Sequence, residues 1–151
     1  MLRVRQRLGK YRIEKKIGEG GYAVVYRAYD TIEGIPVALK VPNAELLDTE
    51  SLKDVKREVR ISATLDHPNI LPIKNASFID KKFVTVYPLG ERTPGDRLRA
   101  RVSTRTALEF AEQMLEALAH AHKNRIIHCD IKPDNFILFN GKRLRLTDFG
   151  I

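Results

Sequence analysis

The 151-residue sequence predicts an α+β fold in which short strands come first and helices dominate the second half. Three observations support this class. Five runs rich in β-branched and aromatic residues, separated by Gly, Pro and Asp, precede residue 89. A long amphipathic helical pattern then covers residues 103–122. Hydrophobic residues make up 43% of the chain and charged residues 30%, which is typical of a globular domain with its own core.

The predicted strands of the first half are bounded by turn residues. Residues 18–22 are rich in glycine and separate the first two strands, and residues 30–36 hold the Asp, Gly and Pro of a hairpin loop. A turn near Asp80 separates the last two strands. The five predicted strands cover residues 11–17, 23–29, 37–41, 70–73 and 83–87.

Two segments have the 3–4-residue apolar spacing of helices. The first covers residues 48–65, with Asp48 or Thr49 as its N-cap. The second covers residues 103–122, with Ser103 or Thr104 as its cap. Its predicted apolar stripe consists of Ala107, Phe110, Ala111, Met114, Leu115 and Leu118. We expect this stripe to form the buried face of the helix.

A second hairpin is predicted close to the end of the chain. Asn140-Gly141 lies between the apolar runs 136–139 and 143–146. Asn-Gly favours the tight turn with two positive φ angles that matches the twist of paired strands.

Charge and composition exclude several classes of protein. The net charge is +8, which is compatible with nucleic acid or an acidic membrane as a partner, and basic residues gather in the first 16 positions. Because no aromatic residues are interleaved with them, we expect a solvated, partly frayed arm and no specific nucleic-acid site. The sequence contains no run of 18 apolar residues, so no transmembrane segment is predicted. The single cysteine, Cys129, fits a reducing compartment and predicts a cytoplasmic protein.

Two features of the first half could bind phosphate. Gly18, Gly20 and Gly21 lie between two predicted strands, where backbone N–H groups can approach a phosphate closely, although a plain hairpin turn would look much the same. Lys40 lies in an apolar strand and needs a carboxylate partner if it is partly buried. Glu58 is the best candidate, the alternative being that it is a surface residue of a highly charged helix.

The segment 128–135 places an acid, a cation and an amide within one loop. Asp130 can accept a proton, Lys132 can neutralise a phosphate, and Asn135 can offer an oxygen to a metal ion. Asp148, followed by Phe149 and Gly150, adds a second carboxylate. Oxygen ligands of this kind suit Mg²⁺, which commonly bridges phosphates.

Taken in this order, the motifs resemble those of a eukaryotic-type serine/threonine protein kinase, with the phrasing of the bacterial branch, from residue 11 to a break just after Asp-Phe-Gly. The resemblance implies a basic N-terminal arm over residues 1–10 and an N-lobe over 11–88. That lobe would hold a five-stranded antiparallel sheet and one helix. A hinge over 89–95 and an incomplete, mainly helical C-lobe over 96–151 would follow.

The resemblance also assigns roles, with ATP and Mg²⁺ (or Mn²⁺) as the ligands. It implies that Asp130 orients and deprotonates the acceptor hydroxyl, that Lys132 neutralises the moving phosphoryl group, and that Lys40 pairs with Glu58 and holds the ATP phosphates. Asn135 and Asp148 would hold the metal ion. The implied ATP-contacting residues are Gly18, Glu19, Gly20, Gly21, Val25, Ala38, Lys40, Val86, Tyr87, Leu89 and Ile137. Among these, Leu89 and the backbone of Tyr87 would read adenine, and Val86 would guard the pocket behind it.

Three functions are compared at this point. The first is ATP-dependent phosphoryl transfer to Ser or Thr of a protein substrate. The second is a non-catalytic, ATP-binding regulatory module, which the incomplete C-lobe favours because it would leave one face of the 103–122 helix for a protein partner. The third, a small-molecule phosphotransferase, is disfavoured by the complete glycine loop. Cys129 replaces an Arg that often pairs with an activating phosphate, so we expect no activation by that route.

Overall fold

A computed structural model of the chain describes residues 2–43, 49–91 and 102–149. The chain forms two compact units, Met1–Val59 with Ile73–Leu89 and Arg60–Pro72 with Gly90–Ile151. The order of elements confirms the predicted α+β class. Three parts of the sequence interpretation lie outside the described residues, namely Asp48 as an N-cap, the hinge residues 92–95, and Gly150.

The first unit holds an antiparallel sheet. In the described ranges the sheet has six strands in the order β1-β2-β3-β4-β6-β5, one more than predicted. The strands are β1 Arg7–Leu8, β2 Tyr11–Glu19, β3 Ala23–Asp30, β4 Ile35–Pro42, β5 Asn75–Ile79 and β6 Lys82–Pro88. One face of the sheet is apolar and forms the core of this unit, with side chains from β2, β3, β4 and β6.

The predicted strand over residues 70–73 is wrong. The strand that pairs with β6 is Asn75–Ile79, and the turn near Asp80 that joins the two is confirmed. Ile70 and Leu71 are buried in the second unit, where the Leu71 N–H donates to the Leu146 carbonyl at 2.8 Å. Ile70 and Leu71 are therefore apolar because they are buried in the second unit and not because they belong to the six-stranded sheet, whereas Ile73 is half-buried and belongs to the first unit.

The interpretation of the N-terminal residues as a frayed arm is also wrong. Leu2 and Leu8 are buried against the sheet, and the Leu2 N–H donates to the Tyr26 hydroxyl at 3.1 Å. Lys10 follows β1 and forms a 2.7 Å ion pair with the buried carboxylate of Asp30. The burial of two leucines, each stabilising by about 2 kcal/mol, offsets part of the entropy lost in ordering this segment, and the backbone hydrogen bonds of β1 contribute as well.

Two helices are described. Helix α1 covers Thr49–Thr64, close to the predicted 48–65. Helix α2 covers Thr104–Lys123, and Ser103 is its N-cap as predicted, since the Ser103 hydroxyl accepts the Thr106 N–H at 3.1 Å. No helix in the described ranges combines the length and the hydropathy needed to cross a bilayer.

The buried face of α2 differs from the predicted stripe. Phe110 is buried as expected, and Met114 and Leu118 pack against the core, but Ala107, Ala111 and Leu115 are exposed. The buried face continues through Ala117 and Ala121 instead. The helix has apolar residues on more than one side, and periodicity did not show which side the rest of the unit would cover.

The second hairpin agrees with the prediction. Strands β7, Phe136–Phe139, and β8, Arg143–Leu146, pair in antiparallel register. Asn140 and Gly141 between them have φ angles of 51° and 68°, as the Asn-Gly turn requires. Leu138, Leu144 and Leu146 point into the core of the second unit. The hairpin ends directly before Thr147 and Asp148, so its packing fixes the backbone position from which the Asp148 side chain extends.

Candidate active site

One face of the sheet gathers several of the residues expected to contact ATP. Directly opposed residues of an antiparallel pair lie on the same face, and so do residues two apart along a strand. Lys40 of β4 is opposite Val25 of β3, Val25 is opposite Gly18 of β2, and Ala38 is two residues before Lys40. These four residues therefore share the face that lies opposite the apolar core.

Lys40 forms the predicted ion pair with Glu58. Its Nζ lies 2.7 Å from the Glu58 Oε1, and the two side chains are 23% and 17% exposed. Partial burial makes such a pair stronger than one in open water, because fewer water dipoles screen it. The interpretation of Glu58 as a plain surface residue is therefore wrong, and the ammonium group of Lys40 is held in a fixed place on this face.

Val86 does not share the face of Lys40. Val86 is opposite Leu39, is 1% exposed and belongs to the apolar core. Thr85 is the residue directly opposite Lys40. Because side chains alternate along a strand, the position next to the lysine belongs to Thr85. The sequence could have shown this, since the register of β6 follows from the apolar residues Val84 and Val86 facing the core.

The glycine loop lies at the end of β2 and is fixed by backbone bonds. The Gly20 N–H donates to the Ala23 carbonyl at 2.9 Å, and Asn43 Nδ2 donates to the Gly21 carbonyl at 3.0 Å. The Glu19 carboxylate is bound to Lys16 at 2.5 Å. Glycine at positions 20 and 21 adds no side chain there, which allows close approach of a ligand to the backbone, whereas Tyr22 beside them is 81% exposed.

In the second unit, the Asp130 carboxylate is held by two donors on one oxygen. Lys132 Nζ donates to Asp130 Oδ2 at 2.7 Å, and Asn135 Nδ2 donates to the same oxygen at 3.0 Å. The side chains of Asp130 and Lys132 are 54% and 50% exposed, so the pair is open to a large substrate. The second oxygen, Oδ1, is the one oriented away from these donors.

The hydrogen bonds set the charge state of the pair. The Lys132 ammonium, and to a smaller extent the Asn135 amide, lower the pKa of the Asp130 carboxyl below its usual range. In return, Asp130 raises the pKa of Lys132, and the charges of Asp134 and Asp148 act in the same direction. At neutral pH Asp130 is therefore a carboxylate that can accept a proton, and Lys132 is a cation beside it.

The side chain of Asn135 is held in one orientation by the bonds of its amide nitrogen. It is buried at 5% exposure, and Nδ2 donates to both the carbonyl and the carboxylate of Asp130, at 2.7 and 3.0 Å. Because these bonds direct the amide nitrogen of Asn135 toward Asp130, the amide oxygen points away from Asp130. The Thr147 N–H donates to the Asn135 carbonyl at 2.8 Å, so the residue directly before Asp148 is bonded to the backbone of Asn135. An amide oxygen and a carboxylate are ligand types that suit a hard cation such as Mg²⁺.

His128 is buried and contacts both the loop that holds Asp130 and the segment that holds Asp148. It is 1% exposed, its Nε2 lies 2.9 Å from the Thr147 carbonyl, and its Nδ1 accepts the Asp130 N–H at 3.3 Å. These partners assign the tautomer with the proton on Nε2. The ring also contacts Phe149 with centroids 4.9 Å apart. One imidazole therefore links the loop of Asp130 to the segment of Asp148.

A clamp around Gln113 was not foreseen from the sequence. Gln113 Oε1 accepts from Asn69 Nδ2 at 2.9 Å and from the Leu144 N–H at 2.8 Å, and Gln113 Nε2 donates to the Lys142 carbonyl at 2.9 Å. Asn69 Nδ2 also donates to the Leu144 carbonyl at 2.9 Å. The clamp attaches β8 to α2. The signal was available, because Gln113 interrupts the apolar pattern one residue before Met114.

Ile137 is held by close packing against Gly90. A Cβ at position 90 would lie 2.0 Å from Ile137 Cγ2 and 3.2 Å from the Leu138 carbonyl oxygen. The Glu91 N–H donates to that carbonyl at 2.9 Å, and the Glu91 carboxylate accepts the Gly141 N–H at 3.2 Å. The segment at 90–91 therefore lies directly on the β7–β8 hairpin.

The predicted site residues fall into two sets. The glycine loop, Val25, Ala38, Lys40, Glu58 and residues 86–89 belong to the first unit. Asp130, Lys132, Asn135, Ile137 and Asp148 belong to the second. Within the described residues, no cluster of three or more His, Cys, Asp or Glu side chains suggests a different metal site.

Comparisons with known proteins agree with this geometry. A family model described as the protein kinase domain matches residues 11–151. The chain is 36% identical to the serine/threonine-protein kinase PrkC of Bacillus subtilis, covering 95% of this chain and 23% of that protein. It is 35% identical to the CBL-interacting serine/threonine-protein kinase 21 of Arabidopsis thaliana (97% and 36%) and 34% identical to the Aurora kinase of Schizosaccharomyces pombe (95% and 41%). The chain thus spans less than half the length of each of these relatives. The match over residues 11–151 and the sequence identities show that the chain belongs to the protein kinase family.

Proposed function

We propose that the chain provides the ATP-binding and phosphoryl-transfer residues of a serine/threonine protein kinase. The observation that carries this proposal is the Asp130, Lys132 and Asn135 arrangement, in which one carboxylate is kept ionised and oriented by a cation and an amide. The partly buried Lys40–Glu58 pair supports it from the first unit. The names of the relatives support Ser and Thr as the acceptor residues.

In the proposed reaction, a Ser or Thr hydroxyl oxygen of a protein substrate forms a bond to the γ-phosphorus of ATP. The bond from that phosphorus to the bridging oxygen breaks, and ADP leaves. Asp130 Oδ1 accepts the hydroxyl proton, while the Lys132 ammonium offsets the negative charge on the moving phosphoryl group. Because phosphoryl transfer depends more on positioning and charge than on a strong base, a carboxylate of lowered pKa suits this role.

We assign the metal ion to Asn135 and Asp148. Bound Mg²⁺ (or Mn²⁺) supplies positive charge that neutralises the phosphate oxygens. The chain contributes the orientation of both ligands, through the two bonds of the Asn135 amide nitrogen and the bond between Thr147 and Asn135. His128 keeps this segment in place through the Thr147 carbonyl.

For the nucleotide, we propose that Val25, Ala38 and Ile137 contact the adenine ring and that Lys40 contacts the phosphates. Pro88 has no N–H group, so the backbone donors within 87–89 are those of Tyr87 and Leu89. We further propose Thr85 in place of Val86 as the residue behind the adenine, because Thr85 is directly opposite Lys40. A larger side chain at position 85 should then weaken ATP binding, whereas Val86→Ile should change stability alone.

Calorimetric titration with MgATP tests the binding part of the proposal. We expect heat of binding in the wild type and in Lys142→Ala, a control that removes an exposed lysine of the β7–β8 turn. We expect it to be lost in Lys40→Ala and in Asp148→Ala. Equal affinity of all four proteins for MgATP would contradict the assignment of both residues.

Transfer of labelled γ-phosphate to a generic protein substrate tests the chemical part. Asp130→Asn should abolish transfer while MgATP binding persists, because the amide cannot accept the hydroxyl proton. MgATP binding by the wild type with no transfer to any Ser or Thr would instead favour the non-catalytic regulatory module. A cytoplasmic location and a protein partner on the exposed side of α2, around Leu108 and Leu115, stay predictions.

A further inference from the structure

Four arginines at the edge of the sheet have no counter-charge. Arg3, Arg5, Arg7 and Arg12 are all exposed, and within the part of the chain that the structure describes none of them has an ion-pair partner. We call these four residues the arginine edge. They belong to one unit and to one continuous stretch of backbone.

The arginine edge is fixed in place by its backbone. Arg7 of β1 is directly opposite Arg12 of β2, and the Arg5 N–H donates to the carbonyl of Ile13 at 2.8 Å. The Arg3 N–H donates to the Gln6 side chain at 2.9 Å. Since Leu2 and Leu8 are buried on either side, the cations are presented on a folded surface rather than on a mobile tail.

Four neighbouring cations are paired with carboxylates, whereas Lys15, like the arginine edge, has no ion pair among the described residues. Each nearby carboxylate is already bound to another cation. The pairs are Lys10 with Asp30 and Glu33, Lys16 with Glu19, Arg27 with Glu14, and Lys74 with Glu33. Like charges directly opposite each other in a strand pair are destabilising, as Arg7 and Arg12 are. Contact of the Arg12 guanidinium with the Tyr29 ring, at 5.2 Å, offsets only part of that repulsion.

We propose that the arginine edge binds the surface of an anionic phospholipid membrane. Such a surface supplies many negative charges without requiring matched donors or stacked rings. Among the described residues, Arg12 contacts the Tyr29 ring, whereas Arg3, Arg5 and Arg7 offer exposed charge without an aromatic contact. Val4 lies between Arg3 and Arg5 in sequence and is 64% exposed, so an apolar side chain stands among the cations. A basic surface with an exposed apolar residue suits the boundary between headgroups and acyl chains.

Vesicle sedimentation tests the proposal on the full chain. We compare neutral phosphatidylcholine vesicles with vesicles containing about 30% phosphatidylserine, the kind of anionic lipid that attracts basic segments. The chain should bind only the anionic vesicles, and binding should weaken as salt is added. Each basic residue near such a surface contributes roughly five-fold. The variant R3Q/R5Q/R7Q/R12Q should therefore lose at least about ten-fold in partition.

A matched variant separates the arginine edge from net charge. K123Q/R125Q/K142Q/R143Q removes four exposed cations from the second unit and should retain binding within about three-fold, because these cations are not part of the backbone stretch that carries the arginine edge. The variant R3K/R5K/R7K/R12K keeps the charge and should also bind. Circular dichroism and thermal melting should show that every variant is folded.

Three results would overturn the proposal. They are equal losses in the two glutamine variants, equal binding to neutral and anionic vesicles, and binding to duplex DNA or to an acidic polypeptide with none to anionic vesicles. If R3Q/R5Q/R7Q/R12Q does not fold, single substitutions such as Arg7→Gln still decide the matter. Single losses near five-fold support the arginine edge, and no change contradicts it.

Discussion

Replacement of Gly90 by alanine should destabilise the second unit through one atomic overlap. The new Cβ would lie 2.0 Å from Ile137 Cγ2, and 3.2 Å from both the Leu138 carbonyl oxygen and Phe139 Cζ. The first contact is far inside van der Waals distance, so either the Ile137 side chain must rotate or the segment at 90–91 must shift. Overpacking of this kind costs about 1–3 kcal/mol, and the backbone contact at 3.2 Å places the expected value in the upper half of that range.

Urea denaturation of the wild type and of Gly90→Ala measures this loss, and thermal melting should show a fall of about 4–8 °C for a 2 kcal/mol loss in a chain of this size. The Glu91 N–H bond to Leu138 should weaken at the same time. More frequent opening of this hydrogen bond can be followed as faster hydrogen exchange of the Glu91 amide.

Substitutions at Ile137, combined with Gly90→Ala, identify the atom that the new Cβ overlaps. Ile137→Ala removes Cγ2, so the double variant with Gly90→Ala should be less unstable than the sum of the two single effects, by about 1–2 kcal/mol. Ile137→Val keeps a γ-methyl in the same position and should give no such coupling. A Gly90→Ala protein within about 0.5 kcal/mol of the wild type would refute the reasoning, and so would equal rescue by alanine and valine.

Three further outcomes are expected. Gln113→Ala should cost about 2–3 kcal/mol in urea denaturation because it leaves buried groups of β8 unpaired, whereas exposed Glu116→Ala should stay near wild type. Burial opposes ionisation of Asp30, but the Lys10 bond and two backbone N–H groups lower its pKa overall, so its contribution to stability is present above the ordinary carboxyl range and is lost as pH falls through the folded-state pKa. Asp30→Asn should therefore be less stable at neutral pH and show a flatter acid limb. Lys132→Gln should raise the pKa of Asp130, measured by carboxyl-carbon NMR titration, and an unchanged pKa would contradict the 2.7 Å bond as its main cause.

Sequence patterns predicted the local elements well where one physical signal dominated. The Asn140-Gly141 turn required positive φ angles and fixed the hairpin at its correct bounds. Ser103 was recognised as an N-cap because its hydroxyl meets an otherwise unpaired helix N–H. The cost of leaving a half-buried ammonium without a carboxylate predicted a partner for Lys40, and the family resemblance selected Glu58 over the alternative that Glu58 is a surface residue. In each case the determining interaction involves residues whose chemistry has one main solution.

Predictions failed where several elements compete to cover the same apolar residues. Ile70 and Leu71 look like a strand in isolation, but their partner is Leu146, 75 residues further along the chain than Leu71. The buried side of α2 likewise depends on where the β7–β8 hairpin packs. The N-terminal segment was interpreted from its charge alone, and the burial of Leu2 and Leu8 against the sheet could not be deduced from a stretch dominated by charge.

The register of β6 shows why a site can be predicted in kind and misplaced by one residue. Motif order correctly brought β6 to the neighbourhood of Lys40, but a strand has two faces, and a shift of one residue exchanges the core for the site. Val84 and Val86 are both in the apolar core, and that parity alone requires Thr85 to lie on the face of Lys40. The residue that borders the lysine is therefore a β-branched alcohol rather than a purely apolar side chain. Its hydroxyl places a hydrogen-bonding group where the resemblance had placed only methyl groups, so the chemistry proposed for this pocket depends on strand parity as much as on the motifs.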